Sequence, residues 1–175
     1  MISIYDILLD RFGDEVIVGQ NAEATDPWIE VAPASVTEVC EFLRDDERLR
    51  FDHLNDLTAI DHFEPDPAKR ARFAFEPHLE IVYHLSSYET RLRAVLKARL
   101  PRWRNDKHGE PPALPTVSHL WPIADWHERE CYDLLGVYFE GHPNLVRMMM
   151  PEDWQGHPLR KDYEWPEDYH GIRTQ

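Results

Sequence analysis

The chain has 175 residues, enough for one real core and too few for two, and its formal charge of -14 opposes binding to phosphate backbones or anionic lipid. Two cysteines imply no disulfide framework, 7 glycines leave few places for backbone to approach a pyrophosphate, and no apolar run nears the roughly 18 residues that span a bilayer. The opening Met1-Ile2-Ser3-Ile4-Tyr5-Asp6 has neither the arginine bias of a transit peptide nor the apolar core of a secretory signal, so a reducing, cytoplasm-like compartment is expected.

Ser3 and Asp6 have the spacing of a capping box, and Tyr5, Leu8, Leu9 and Phe12 follow at helical period before Gly13, which predicts a first helix. Glu15 to Val18 and Trp28 to Val31 read as short strands around a polar turn. Ser35 with Glu38 opens a second helix that carries Val39, Cys40, Phe42 and Leu43. Asp56 to Asp61 and Leu79 to Leu85 read as longer strands. From Thr90 to Leu100, Leu92, Ala94, Leu96, Ala98 and Leu100 alternate with mostly basic residues; Leu92, Val95 and Leu96 would also fit a helix, but alternation over the whole run predicts a strand with one wet face. Lys69, Arg70, Arg72 and the basic residues between Arg91 and Lys107 read as loop tips and that wet face. Pro101 to Pro115 reads as a loop. This order predicts an α+β fold: a two-layer domain with helices on one face of a mixed, mostly antiparallel sheet over residues 1–140, followed by an extended C-terminal segment over 141–175.

Trp126 to Pro166 packs acids, bases, Gly, His-Pro and Trp together. Asp125 with Glu128 again resembles a capping box, which predicts a helix over 126–135 stopped by Gly136. On a helical wheel Ala124, His127, Cys131, Leu134 and Leu135 form an apolar face, and Trp126, Arg129, Glu130 and Asp133 lie opposite, where an arginine among carboxylates suits a polar contact. Two copies of one turn follow, Gly141-His142-Pro143 and Gly156-His157-Pro158, each bending and then extending the chain. Beyond Pro151 no apolar period is sustained, yet Trp154, Leu159, Tyr163, Trp165 and Tyr169 keep appearing, so the tail is expected to lie on something, with partners holding it more than its own domain.

Catalytic readings are thin. His127 and Cys131, four apart on a helix, could hold zinc with a third histidine such as His142 or His157 and so support a hydrolase, but a buried thiol beside a hydrogen-bonded histidine explains them more simply. Glu128, Glu130 and Asp133 lack a nearby nucleophile and read better as a salt-bridged interface. An iron–sulfur cluster takes about four thiolates, and Cys40 with Cys131 cannot supply them. The chain is therefore expected to hold no metal, flavin or nucleotide of its own.

The run Glu128-Arg129-Glu130, Asp133-Leu134-Leu135-Gly136, Gly141-His142-Pro143, Arg147, Pro151-Glu152-Asp153-Trp154 and Gly156-His157-Pro158-Leu159-Arg160-Lys161-Asp162-Tyr163 resembles the 30 kDa-type subunit of proton-pumping NADH:quinone oxidoreductase, respiratory complex I. Asp56 to Asp61, Ile81 to Leu85 and Leu120 to Trp126 match shorter landmarks of that family in order, so the likeness covers roughly residues 50 to 165. The resemblance implies a noncatalytic subunit of the peripheral arm on the cytoplasmic face of the inner membrane. It would scaffold the quinone-site and cluster-bearing subunits, while FMN, iron–sulfur clusters and quinone belong to those neighbours. It further implies a partner interface made of Trp126, Glu128, Arg129, Glu130, Asp133, Gly136, His142, Pro143, Arg147, Trp154, Gly156, His157, Pro158, Arg160, Lys161, Asp162 and Tyr163. The equivalent scaffold of a membrane-bound hydrogenase is the alternative within this resemblance, and the zinc hydrolase the alternative outside it.

Overall fold

The computed structural model describes residues 3–173, with every side chain in that span except that of Asp106. Met1 and Ile2, and the last two positions of the C-terminal segment, lie outside the described residues. The first helix, α1 (Ile4–Phe12), begins as its capping box dictates: the Ser3 hydroxyl accepts from the Asp6 amide at 3.1 Å and the Asp6 carboxylate accepts from the Ser3 amide at 3.2 Å. Strand β1 (Ile17–Asn21) starts two residues later than its sequence suggests, because the amides of Val16 and Ile17 bond back to the Gly13 carbonyl and keep residues 14–16 in a turn. β2 (Trp28–Val31) lies where alternation places it. In helix α2 (Val36–Asp45) the expected Ser35 cap is absent, since Pro33–Ser35 already coil as a 3-10 turn and deliver the chain to the helix without it.

Three long strands follow: β3 (His53–His62), β4 (His78–Ser86) and β5 (Arg93–Pro101), with a one-turn helix, α3 (Pro67–Arg70), in the excursion between the first two. With β1 and β2 they form a five-stranded sheet in the order β1-β2-β5-β4-β3. Only β2 and β5 pair in parallel, so the sheet is mixed and mostly antiparallel, as the sequence predicts. Leu54, Leu57 and Ala59 from β3, Leu79, Ile81, Tyr83 and Leu85 from β4, and Ala94, Leu96, Ala98 and Leu100 from β5 point to one face, and Leu8, Val39, Cys40 and Leu43 of the helices bury that face. On the opposite face Lys97 meets Glu80 at 2.7 Å and Arg99 meets Glu30 at 3.2 Å. This is the wet side that the alternation of β5 requires.

The stretch read as a loop between Pro101 and Pro115 is not wholly one. Ala113–Pro115 forms β6, parallel to β7 (Tyr138–Glu140), just beyond the fourth helix, α4 (Ala124–Leu135). A three-residue strand is too short to show an alternation, so no local signal marks it. A last hairpin, β8 (Asp168–Tyr169) and β9 (Ile172–Arg173), ends the described chain.

Candidate functional site: a helix clasped by two histidine turns

Helix α4 starts at Ala124 without a side-chain cap, contrary to the capping box expected of Asp125 and Glu128. Glu128 is withdrawn from that role because it is fully buried, where it accepts the Thr116 hydroxyl and, at 2.7 Å, the Val117 amide. The C-terminal end behaves as its glycine implies. Gly136 sits at φ 68, and a Cβ there would come within 2.5 Å of the His157 ring, so both backbone sign and space require glycine.

Ala124, Cys131 and Leu135 pack into the core as the wheel predicts, but the opposite face is not a set of free charges. Asp133 is completely buried and its Oδ2 accepts the amides of Met148, Met149 and Met150 at 3.0, 2.7 and 2.8 Å, while Oδ1 accepts Arg147 at 2.7 Å. Burial pushes this carboxyl up, yet the three amides and Arg147 outweigh it and hold Asp133 below the usual carboxylate range. Arg129 makes its own contacts elsewhere. Its Nε donates to the Val146 carbonyl at 3.2 Å, its guanidinium lies 5.0 Å from the centroid of Trp126, and the nearest carboxylate is that of Asp125 at 4.0 Å. The wheel separates polar from apolar sides, but whether chain or water covers the polar side is decided by the flanking loops.

The two Gly-His-Pro turns clasp the helix at opposite ends. His142, its side chain fully buried, bonds through Nε2 to the Asp125 carbonyl at 3.2 Å while Nδ1 accepts the Asn144 amide at 3.0 Å. His157 donates from Nδ1 to the Asp133 carbonyl at 3.0 Å, and burial lowers its proton affinity. Arg147 also reaches the Gly156 carbonyl at 3.0 Å, tying the second turn to Asp133 of the helix. Gly156, like Gly136, leaves room for a ring: a Cβ there would lie 2.8 Å from Tyr163.

The tail then returns to the domain. Leu159 donates to the Leu134 carbonyl at 3.0 Å, Arg160 donates to the carbonyls of Leu135 and Arg102, and the Lys161 amide bonds Asp61 at 2.9 Å. Arg102 forks onto Asp61, 2.8 Å at both contacts, and onto Asp162 at 2.6 and 3.1 Å. Farther on, Trp154 packs against Trp165 and Tyr169 with ring centroids 5.7 and 4.8 Å apart. As far as Asp162, then, the segment is bonded to its own domain. Backbone carbonyls left over at the end of α4 and the buried Asp61 provide its seat. Sequence reasoning missed Asp61, Arg102 and Thr116. Asp61 was readable in principle, as an acid on the inward side of an otherwise apolar alternation in β3.

His127 and Cys131 do not form the zinc pair the sequence allowed. His127 turns to Asp56 at 3.3 Å, Cys131 points inward to the Leu57 carbonyl with its thiol pushed up by burial, and neither joins a metal-sized group of ligands among the described residues. Of the remaining expected interface residues, Trp126, Glu130, Pro143 and Lys161 are exposed, Pro158 is half-buried, and Arg160 is buried.

The buried Glu128 makes a testable contribution to pH dependence. Burial pushes its carboxyl up to about 7 against the lowering pull of Thr116 and Val117. The folded state therefore binds this proton more tightly than the unfolded chain, and the contribution is full below the unfolded value of 4.5 and lost as pH rises through about 7. Wild-type urea stability should carry a falling component on the order of 3 kcal/mol across this window that Glu128→Gln lacks. Parallel profiles for the two proteins would mean that Glu128 is ionised throughout.

Comparison with known proteins bears on what this clasped helix serves. The family model for the Respiratory-chain NADH dehydrogenase, 30 Kd subunit, matches residues 29–169. A Roseiflexus protein named as a subunit of NADH-quinone oxidoreductase is 41% identical over 148 residues, 85% of this chain and 75% of the relative. A Chlorobium phaeobacteroides protein of the same name is 36% identical over 175 residues, 99% of this chain and 94% of the relative. A chain in the structure of the membrane-bound sulfane sulfur reductase, an archaeal respiratory membrane complex, shares the fold with a TM-score of 0.61 at 24% identity, covering 92% of this chain and 84% of that one.

Proposed function

Since this chain belongs to the family of the respiratory-chain NADH dehydrogenase 30 Kd subunit and is thus a subunit of an NADH-quinone oxidoreductase, we propose that it works there as a noncatalytic scaffold of the peripheral arm. It docks the quinone-site subunit and other peripheral-arm subunits on the cytoplasmic side of the membrane. No helix among the described residues is long and apolar enough to cross a bilayer, which is consistent with peripheral attachment. FMN, iron–sulfur clusters and quinone reside in the neighbours, and the tail beyond Asp162 reaches over them.

The observation that carries this reading is the contrast between the two kinds of residue on α4 and its turns. The groups that could do acid–base work, Glu128, Asp133, His142 and His157, are engaged with the chain's own backbone. The apolar side chains of Trp126 and Val146, which Arg129 contacts, are exposed by 57 and 46%, and Ile123 and Met149 in the same segments by 44 and 61%. Large exposed apolar groups beside an arginine are what a protein partner buries.

Trp126→Ala and Arg129→Ala test it in cells that supply the subunit only from the altered gene. Truncating an interface tryptophan costs on the order of 2 kcal/mol of association or more, roughly thirtyfold. Assembled complex should fall, the isolated subunit should keep its circular dichroism and melting point, and quinone reductase activity per assembled complex should stay near normal. Normal assembly with slow turnover would assign these residues to the chemistry and remove the scaffold reading.

A further inference from the structure

The wet face of the sheet carries a second constellation, at the end where β3 leaves and β4 returns. His62 and His78 are directly paired across the two strands, their rings stacked with centroids 4.5 Å apart and planes 14° from parallel. Glu80 stands two residues along the same face of β4, almost entirely buried, with Oε1 3.6 Å from His62 Nε2. One nitrogen or oxygen from each of the three lies within 4.8 Å of those from the other two. The Nε2 atoms of both histidines are buried and have no hydrogen-bond partner among the described residues. Leaving buried imidazole nitrogens without a hydrogen bond is costly, and Glu80, 3.6 Å from His62, stands too far to supply one in full.

We propose that His62, His78 and Glu80 bind a divalent cation of the zinc type that pins the ends of β3 and β4 together. Two imidazoles and a carboxylate are a borderline-soft set suited to zinc, with water completing four-coordination. At Zn–N and Zn–O lengths of about 2.0–2.2 Å the ligand atoms of a tetrahedral site stand about 3.3 Å apart, so the His62–Glu80 separation is already close and the whole set must contract by roughly an ångström. The second shell is in place. His78 Nδ1 donates to the Glu76 carbonyl at 2.7 Å, the usual arrangement behind a histidine that binds metal through Nε2. Phe75 sets its ring edge-on to His62, with centroids 5.4 Å apart, and screens the pair from one side.

Lys97 is the built-in competitor. Its ammonium donates to Glu80 Oε1 at 2.7 Å and lies 4.9 Å from the centroid of Trp28, so a cation already neutralises the carboxylate. Binding needs Glu80 to offer its other oxygen or Lys97 to turn away along Trp28. A cation held here departs from the sequence expectation that the chain carries no metal. The site is independent of the scaffold role, since the cluster lies on the sheet face away from α4.

The full-length, untagged chain, stripped with a chelator, is titrated with zinc chloride alone near neutral pH. One zinc per chain is expected, with a rise in melting temperature that grows with free zinc. His62→Gln and His78→Gln should each weaken binding at least roughly tenfold, and Lys97→Gln should tighten it. A variant that loses its circular dichroism is replaced as evidence by cobalt(II) titration of the wild type, where tetrahedral coordination gives intense visible bands. No stoichiometric zinc uptake, only the faint bands of octahedral cobalt, or uptake unchanged in the His62→Gln/His78→Gln double variant would each overturn the site.

Discussion

Asp133→Ala should be the most damaging single change in the α4 region, lowering stability by about 3–5 kcal/mol. Four donors converge on this carboxylate, three of them successive amides of the 148–150 turn and the fourth Arg147, and all lose their acceptor together. For a chain of this size the loss corresponds to a fall in melting temperature on the order of 10 °C. The damage should spread along the bonds that Arg147 makes, so amide exchange is expected to quicken first at Met148 to Met150 and then around Gly156. Asp133→Asn keeps an acceptor oxygen but not the charge that faces Arg147, and should fall between wild type and alanine. The sign with pH is opposite to that of Glu128. Held below the usual carboxylate range in the fold, Asp133 contributes stability above its unfolded value of 3.8 that is lost as pH falls through its folded value. A melting point for Asp133→Ala within a degree or two of wild type, on the order of the scatter of a surface change, would refute this convergence of donors.

The second large effect concerns the seat of the tail. Arg102 is almost fully buried between Asp61 and Asp162 and lies 3.9 Å from the centroid of Phe63. Removing its side chain leaves the fully buried Asp61 carboxylate with the Lys161 amide as its one hydrogen-bond partner among the described residues, a loss of about 3–5 kcal/mol. Arg102→Lys should rescue little, since one ammonium cannot fork onto two carboxylates. Limited proteolysis gives a readout that stability alone does not: cleavage after about Gly156 should be slow in the wild type and fast in Arg102→Ala, because Asp162 and Lys161 are then released together. Asp61→Ala combined with Arg102→Ala should cost clearly less than the sum of the single changes, as partners in one buried network do. Strict additivity, or a tail equally protected in both proteins, would show that Asp61 and Arg102 do not hold it.

Much of the architecture was legible from residue order because secondary structure is written in short periods. The capping box at Ser3, the alternation of β5 and the left-handed stop at Gly136 each depend on neighbours within a few residues, and each stands where the sequence places it. The two-layer arrangement follows, since a sheet with one apolar face must be covered by helices that have one. The family likeness was legible for a different reason: its motif lies in one continuous stretch.

Tertiary structure alone decided where the charges went. Asp133 belongs to the helix face that a wheel marks as polar and Glu128 falls beside Ala124 and Cys131 on the apolar one, yet both are buried with their charges served, because loops from residues 116–117 and 147–150 bring donors to them. Arg102 and Asp162 meet across 60 positions, and His62 meets His78 only through the register of β3 and β4. A charge in the sequence announces that it must be solvated or paired, but not which. That depends on which distant segment of chain arrives with the complementary group, and only the closed fold brings it there.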